Sequence, residues 1–573
     1  MIEIEIHIDK PIKLEKSIIN PKSGFIYCPY DINIIDKIKQ LSTRVYLSDK
    51  KCWEVPYSLI PIICNKILKD YNIKIIGTFE KTKTNDTDIP NNYEFKTKPY
   101  DYQMDGIKYG LQHDTWLLGD DQGLGKTLQI INIGAINKLK GSKHCLIICG
   151  INGLKYNWEQ EIALHSKEKS WILGTRYKKN GKSYIGTSKD KLDDLDNLPN
   201  SYFIITNIET LRQMSYRKNN RIVFPIVDKI NALCKKGDID MIVVDEAHKC
   251  KTPTSQQGKA LLALKSKKRI ALSGTFLMNS PMDLFVPLKW TGYINKSFYE
   301  FKKHYCVLGG FGGTEILSYK NLEELQQVMN VAMLRRLKTE VLDLPDKIHT
   351  TEYVEMSNKQ LSIYNEVKNN LKKDIDKIKL SNNPMAELIR LRQATAWTGI
   401  LSSTVQESAK LNRLEELVED ITKRDEKCIV FSNWSAVTDV IKSKLKQYNP
   451  AYITGDVEET IRATEKDRFQ NDPNCKVIIG TIGALGTGFT LTAAQTVIFM
   501  DSPWNRALKD QAEDRAYRIG TKGTVNIITL VTKDTIDEAV EDIVYSKGKM
   551  SDLLIDGKLP KESVGKFLHY ILD

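Results

Sequence analysis

Two series of short apolar runs, each run followed by a longer amphipathic stretch, constrain this chain more than any other feature. CLIIC (145–149), YFIIT (202–206), MIVVD (241–245) and RIALS (269–273) form the first; KCIVFS (427–432), AYITG (451–455), KVIIGT (476–481) and TVIFMD (496–501) form the second. Strands that are apolar on both sides and joined by helices belong to parallel sheets covered on both faces. A helical stretch from about Asn358 to Thr422 parts the two series. The pattern predicts two α/β domains of similar design.

The chain has 573 residues, room for several cores at roughly 150 residues per domain. Its 84 basic and 72 acidic side chains leave a net charge of +12, which permits a polyanion partner without naming one. No apolar run approaches the roughly 18 residues that a membrane helix needs. The start, MIEIEIHIDK, alternates Ile with polar residues and does not resemble a secretory signal. Ten cysteines form no C-x-x-C pair, and Cys145 and Cys149 sit inside an apolar strand, which suits buried thiols rather than zinc. Membrane, secreted and zinc-site readings are therefore set aside.

The first 80 residues read as a small α/β unit. Ile2, Ile4, Ile6 and Ile8 alternate as in a half-buried strand, and Phe25-Ile26-Tyr27 is a second strand. Asp31 caps a helix carrying Ile34, Ile35, Ile38 and Leu41, and Val45–Leu47 with Cys52–Val55 makes a hairpin. A second helix is expected over Leu59–Lys69, and the polar segment 81–98 reads as a linker.

Asp121-Gln122-Gly123-Leu124-Gly125-Lys126-Thr127 lies between a strand-like run (Thr115–Leu118) and a helical pattern (Leu128–Leu139). Gly123 and Gly125 let the backbone approach phosphate, Lys126 neutralises it, and the Thr127 hydroxyl suits Mg²⁺. The usual pattern has Gly where this chain has Asp120. Asp245-Glu246-Ala247-His248 follows the strand MIVV. An Asp at a strand's carboxyl end can hold Mg²⁺, and the neighbouring Glu can polarise an attacking water. Hydrolysis also needs positive charge near the departing phosphate. Arg515 and Arg518, at i and i+3, are expected on one helix face.

The order of these motifs resembles that of the superfamily-two helicases, and within them the SWI/SNF-type DNA translocases. DQGLGKT (121–127), NWEQE (157–161), ITNIET (205–210), DEAHKCKTPTS (245–255), LSGTFLMNSPMDL (272–284), LRRLKTEVLDLPDK (334–347), IVFSNW (429–434), TIGALGTGFTLTAA (481–494) and DSPWNRALKDQAEDRAYRIG (501–520) carry it. The resemblance implies two RecA-like parallel-sheet lobes and an ATP- and Mg²⁺-dependent enzyme. It implies that Gln103 reads adenine, that Asp121, Gly123, Leu124, Gly125, Lys126, Thr127 and Gly486 cradle nucleotide, and that Thr127 and Asp245 hold Mg²⁺. Glu246 would orient water, and Arg515 and Arg518 would be arginine fingers. Ser273, Gly274, Thr275 and Gln511 would couple nucleotide to movement. DNA contacts are expected at Asn157, Trp158, Asn207, Ser432, Asn433, Trp434, Thr481, Trp504 and Asn505, mostly to phosphates. Phe276, Leu485, Thr490, Arg506, Tyr517 and Thr521 depart from the family pattern without removing a charged catalytic group.

Residues 25–56 also resemble the HARP domain of the annealing-helicase branch. That resemblance implies a reader of branched DNA, with Lys39, Arg44 and Trp53 among its contacts. The expected division is 1–80 HARP-like domain, 81–98 linker, 99–350 first lobe, 351–550 second lobe and 551–573 helical brace. The expected activity is tracking on duplex DNA with a role at forks. Removal of proteins from DNA, or a nucleotide-gated regulatory subunit, remain alternatives. The expected location is a bacterial cytoplasm at the nucleoid, or a host cytoplasm for a viral chain.

Overall fold

The computed structural model of the protein describes residues 3–8, 23–39, 44–48, 50–56, 63–64, 68, 71–76, 89–219, 221–276, 280–309, 313, 315–373, 385–486, 490–518, 520–521, 523–542 and 544. The expected brace at 551–573, most of the helix expected over Leu59–Lys69, and the side chain of Lys39 lie outside them. The described chain divides into two units, one ending at Leu342 and the other beginning at Asp343.

The first unit contains an all-parallel sheet of seven strands. Its order is Met333–Leu334, Thr115–Leu118, Lys268–Leu272, Met241–Asp245, Cys145–Cys149, Phe203–Asn207, Ser170–Ile172. Side chains alternate between its faces, and both faces are buried. Leu146, Ile148, Ile204, Ile242 and Val244 enter one core; Cys145, Ile147, Phe203, Ile205, Met241 and Val243 enter the other. This is why these strands read as unbroken apolar runs rather than alternating ones.

The second unit repeats the design with six parallel strands, ordered Lys347–Val354, Val525–Thr532, Thr496–Phe499, Cys428–Ser432, Val477–Thr481, Ala451–Ile453. Ile429, Phe431, Ile478 and Val497 pack on one face, and Val430, Val477, Ile479 and Ile498 on the other. The strand Lys347–Val354 corrects the expected boundary at 350. It pairs along its whole length with Val525–Thr532, so it belongs to the second sheet.

At the amino end, five strands run in the order Val45–Leu47, Cys52–Pro56, Ser23–Tyr27, Glu3–Ile8, Asn72–Ile76. The expected hairpin is present, with Tyr46 opposite Trp53. The expected linker is corrected over its described part. Tyr93 and Phe95 pack on the core of the first unit, and the Tyr93 hydroxyl donates to Asn132 Oδ1 at 2.6 Å. Those two rings give residues 93–95 enough apolar area to stay docked. No helix among the described residues is long and apolar enough to cross a membrane.

Candidate nucleotide site

Sheet order builds this site. Lys268–Leu272 lies between Thr115–Leu118 and Met241–Asp245, so three adjacent strands deliver their carboxyl ends side by side. The phosphate loop leaves the first, Ser273 the second, and Asp245-Glu246 the third. Gly123 and Gly125 have φ of 81° and 72°, a region that residues with a Cβ avoid. At Gly125 a Cβ would also sit 2.3 Å from Gln103 Nε2. Gln103 is buried, and its amide donates to the Leu124 carbonyl at 3.1 Å, so the predicted adenine reader braces the loop. Lys126 and Thr127 open the helix Lys126–Leu139, whose free N–H groups favour an anion.

Lys126 Nζ donates to the carbonyls of Asp120 (2.8 Å) and Asp121 (3.1 Å). Burial pulls its pKa down, against the carboxylates of Glu246, Asp120 and Asp245. Asp245 accepts from the Glu246 N–H at 2.8 Å and from the Trp158 indole N–H at 2.8 Å. Burial and the Glu246 charge push its carboxyl up to about 6. Glu246 itself has φ 49° and ψ 48°, left-handed backbone for a residue with a side chain. Gly150 allows the close packing there: a Cβ would lie 2.7 Å from the Glu246 carbonyl oxygen. His248 Nδ1 lies 3.1 Å from Glu246 Oε2 and 3.0 Å from Ser273 Oγ. Ser273 Oγ in turn accepts from the Thr275 N–H at 3.0 Å. Gly274 sits tightly against Gln122 of the phosphate loop. A polar chain thus joins Glu246 to the segment that follows the neighbouring strand.

Sequence reasoning missed the residues that hold the phosphate loop in place. Arg336 and Asp120 are both buried and form a forked ion pair, with Arg336 Nε 2.9 Å from Asp120 Oδ1. Gln129 bonds both of them. Gly119 N–H donates to the Leu334 carbonyl at 2.8 Å, and Asp121 N–H to the Arg336 carbonyl at 3.0 Å. The Asp121 carboxylate accepts the Lys338 N–H at 3.1 Å. Asp120 in place of the usual glycine was the available signal: a carboxylate there needs a buried cation.

In the second unit, IVFSNW and DSPWN clasp each other. Ser432 Oγ donates to Asp501 Oδ2 at 2.7 Å and Asn433 N–H to Asp501 Oδ1 at 2.8 Å. The Arg392 guanidinium lies over both Trp434 (5.3 Å) and Trp504 (4.6 Å). Asn505 caps the helix Arg506–Glu513, accepting from the Ala507 N–H at 2.8 Å. Lys347 reaches Glu513 at 3.0 Å and lies over the Tyr517 ring. Burial opposes its charge, but the carboxylates of Glu513 and Asp514 hold its pKa above the usual lysine value. Thr481 ends the strand Val477–Thr481, and Gly486 closes the short helix Ile482–Leu485.

Comparison with known proteins decides the family. The profile described as SNF2-related domain matches residues 92–400, more than half of the chain, and that of the helicase conserved C-terminal domain matches 409–520. This chain belongs to the SNF2 family. It carries that family's ATPase core. An uncharacterized ATP-dependent helicase of Mycoplasma pneumoniae is 27% identical over 84% of this chain and 44% of its own length. The mouse DNA annealing helicase and endonuclease ZRANB3 is 26% identical over 82% of this chain and 42% of its own. A Caenorhabditis elegans homologue of SWI/SNF-related matrix-associated actin-dependent regulator of chromatin subfamily A-like protein 1 is 27% identical over 95% and 75%. The chain therefore spans less than half of the first two relatives. Among solved structures, a Sulfolobus solfataricus SWI2/SNF2 ATPase core in complex with dsDNA is 26% identical, with a TM-score of 0.37, over 82% of this chain and 95% of that one.

The remaining expected contact residues differ in how far the fold exposes them. Trp158, Asn207 and Ser432 are buried, and their polar atoms are engaged internally. Asn207 bonds Asn152, Glu209 and Thr210; Trp158 orients Asp245. Arg44 is likewise buried, among the strands at the amino end. Asn505 is buried and spent as a cap. Asn157, Asn433, Thr481, Trp434, Trp504 and Trp53 are half-buried.

Arg515 and Arg518 do not share a helix face. The helix ends at Glu513, and both lie in the turns that follow. The Thr521 hydroxyl takes the Ala516 and Arg518 carbonyls at 2.7 Å, and Leu491 N–H takes that of Arg515 at 2.9 Å. These bonds hold the segment after Glu513 in turns. Arg515 is buried with Nε donating to the Gln511 carbonyl, and Arg518 donates to Thr490 Oγ1 at 2.7 Å.

The Trp158 contact yields a prediction. Trp158→Phe keeps the ring and removes the donor to Asp245. A hydrogen bond to a charged group contributes about 1.5–3 kcal/mol. ATP turnover is expected to fall by roughly tenfold or more, with a small change in melting temperature, in phosphate-release and thermal-denaturation measurements. Unchanged turnover would remove Trp158 from the site.

Proposed function

We propose that this chain is an ATP-dependent translocase that tracks on duplex DNA and acts at branched or forked DNA, re-pairing strands or remodelling the fork. The single observation that carries the reading is the convergence of Lys126, Ser273, Asp245 and Glu246 at the carboxyl ends of three neighbouring strands.

The chemistry follows from the side chains. Lys126 and the helix N-terminus hold the terminal phosphates. Glu246 orients the attacking water, and the His248–Ser273 link reports its state to the segment after the neighbouring strand. Mg²⁺ fits the donors present, since the Thr127 hydroxyl and Asp245 carboxylate are hard oxygen ligands in a pocket rich in buried negative charge. Thr127 and Asp245 would hold it, and it would neutralise charge on the phosphates. Arg515 and Arg518 keep their place in the reading as sources of positive charge for the departing phosphate.

Duplex DNA as the track is supported by family membership, and strand re-pairing by the name of one relative, the mouse DNA annealing helicase and endonuclease ZRANB3. At the amino end, exposed Tyr30 and Tyr46, with Trp53 5.0 Å from Tyr46, suit stacking on unpaired bases. The test is ATP turnover measured without DNA and with single-stranded, duplex and forked DNA, beside a fork-annealing assay. Stimulation by duplex is expected; no stimulation by any DNA refutes the reading. Removing residues 1–88 leaves Tyr93 and Phe95 docked on the motor. It should spare duplex-stimulated turnover and reduce annealing. Equal annealing by the truncated chain would exclude the fork role of that domain.

A further inference from the structure

Among the antiparallel strand pairs of the first unit that stand outside the central sheet, two lie in strongly basic segments that none of the motifs above absorbs. One pairs Thr175–Tyr177 with Ser183–Ile185; the other pairs Tyr216–Lys218 with Arg221–Val223. The segments that hold them are unusual in charge. Residues 173–189 contain Arg176, Lys178, Lys179, Lys182 and Lys189, and residues 210–227 contain Arg212, Arg217, Lys218 and Arg221, with no acidic residue in either. Arg176 is neutralised at the base of the first hairpin, and Lys178, Lys179, Lys182, Arg217 and Lys218 are exposed on the two hairpins.

The hairpins also display aromatic rings. Tyr177 is 65% exposed, Tyr184 46% and Tyr216 52%. Exposed Lys178 lies 6.0 Å from the Tyr184 ring. The first hairpin turns at Asn180-Gly181, with Gly181 at φ 79° and open space around it. Its base is firmly seated. Arg176 pairs with Asp190 (3.2 Å) and Asp194 (2.9 Å), and Trp171 Nε1 and Gly174 N–H donate to Asp194. The two hairpins share an anchorage: Ser188 Oγ and Lys191 Nζ, just after the first, donate to Gln213 Oε1, just before the second, at 3.0 and 3.1 Å.

We propose that these joined hairpins form a second nucleic-acid surface that grips single-stranded DNA, the unpaired arm beside the tracked duplex. This deepens the DNA reading above and rests on it. Lysines and arginines neutralise phosphates, while exposed tyrosines offer faces for bases. Bases inside a duplex are already stacked, so a surface presenting both features matches a single strand better than a duplex. A seated base with an open tip gives a rigid platform, which lowers the ordering cost of binding.

The test uses the full chain and a fluorescein-labelled oligothymidylate, with a blunt duplex as comparison. The triple variant Tyr177→Ala/Tyr184→Ala/Tyr216→Ala is expected to lose about tenfold or more in oligothymidylate affinity, with the salt slope kept. The variant Lys178→Glu/Lys179→Glu/Lys182→Glu/Lys218→Glu is expected to flatten the slope of log affinity against log salt by about 0.7 for each lost phosphate contact. Duplex-stimulated ATP turnover and melting temperature should hold in both, because every altered side chain is exposed. Oligothymidylate binding that is absent in the natural chain, or unchanged in both variants, overturns the proposal. If the natural chain binds oligothymidylate but duplex does not stimulate turnover, the translocase reading fails while the single-strand surface stands.

Discussion

Glu246→Gln is expected to stop DNA-stimulated ATP turnover, by about a hundredfold or more, while leaving ATP binding intact. The amide matches the carboxylate in shape, so the 3.1 Å approach to His248 Nδ1 can persist. What it loses is basicity toward the attacking water, and a positioned acid–base group contributes about 10²–10⁴ in rate. The groups proposed to bind ATP lie elsewhere, on Lys126, Thr127 and the glycines of the loop. Phosphate release and equilibrium binding of a fluorescent ATP analogue, measured on the same preparation, separate the two. Turnover within a few-fold of the natural chain would move the water-orienting role away from Glu246.

The second large effect is expected at Arg336. Arg336→Ala strands Asp120 in the core of the first unit, because Asp120 is fully buried and Arg336 is its ion-pair partner. Removing one member of a buried pair costs about 3–5 kcal/mol. The same change frees the phosphate loop at its root, so nucleotide affinity should fall along with stability. Arg336→Lys should recover only part, since an ammonium cannot reproduce the fork that spans both Asp120 oxygens and Gln129. The pair Asp120→Gly with Arg336→Met, which removes both charges, should be more stable than Arg336→Ala alone. Urea denaturation followed by tryptophan fluorescence reads all of these. An Arg336→Ala protein within about 0.5 kcal/mol of the natural one would mean that Asp120 finds another partner.

These two cases mark how far the sequence was legible. The placement of Glu246 was readable because it is local: strand, Asp, Glu, in that order. The two sheets were readable because burial on both faces leaves unbroken apolar runs, as in CLIIC and CIVFS. Arg336 was not readable as a partner of the phosphate loop. It reaches Asp120 through an edge strand only two residues long, Met333–Leu334, too short to leave a periodic signature. Trp158 illustrates a different limit. Its place in a family motif suggested a surface role, and only tertiary packing turns the indole toward Asp245. The helix expected through Arg515 and Arg518 stops at Glu513, and the chain beyond it is held in turns by Thr521 and Leu491, contacts that no helical spacing reveals. The eight-residue strand Lys347–Val354 was missed because only Val354 along it is buried, as suits a sheet edge.

The left-handed backbone at Glu246 has a consequence for how such a chain can change over time. A side-chain-bearing residue in that conformation costs on the order of 1 kcal/mol, and glycine or asparagine there would relieve it. Selection for robustness alone would thus erode this glutamate, and the sturdiest descendants would be the idle ones. Its persistence would be a record of work demanded of the protein, legible in any collection of sequences without a single assay.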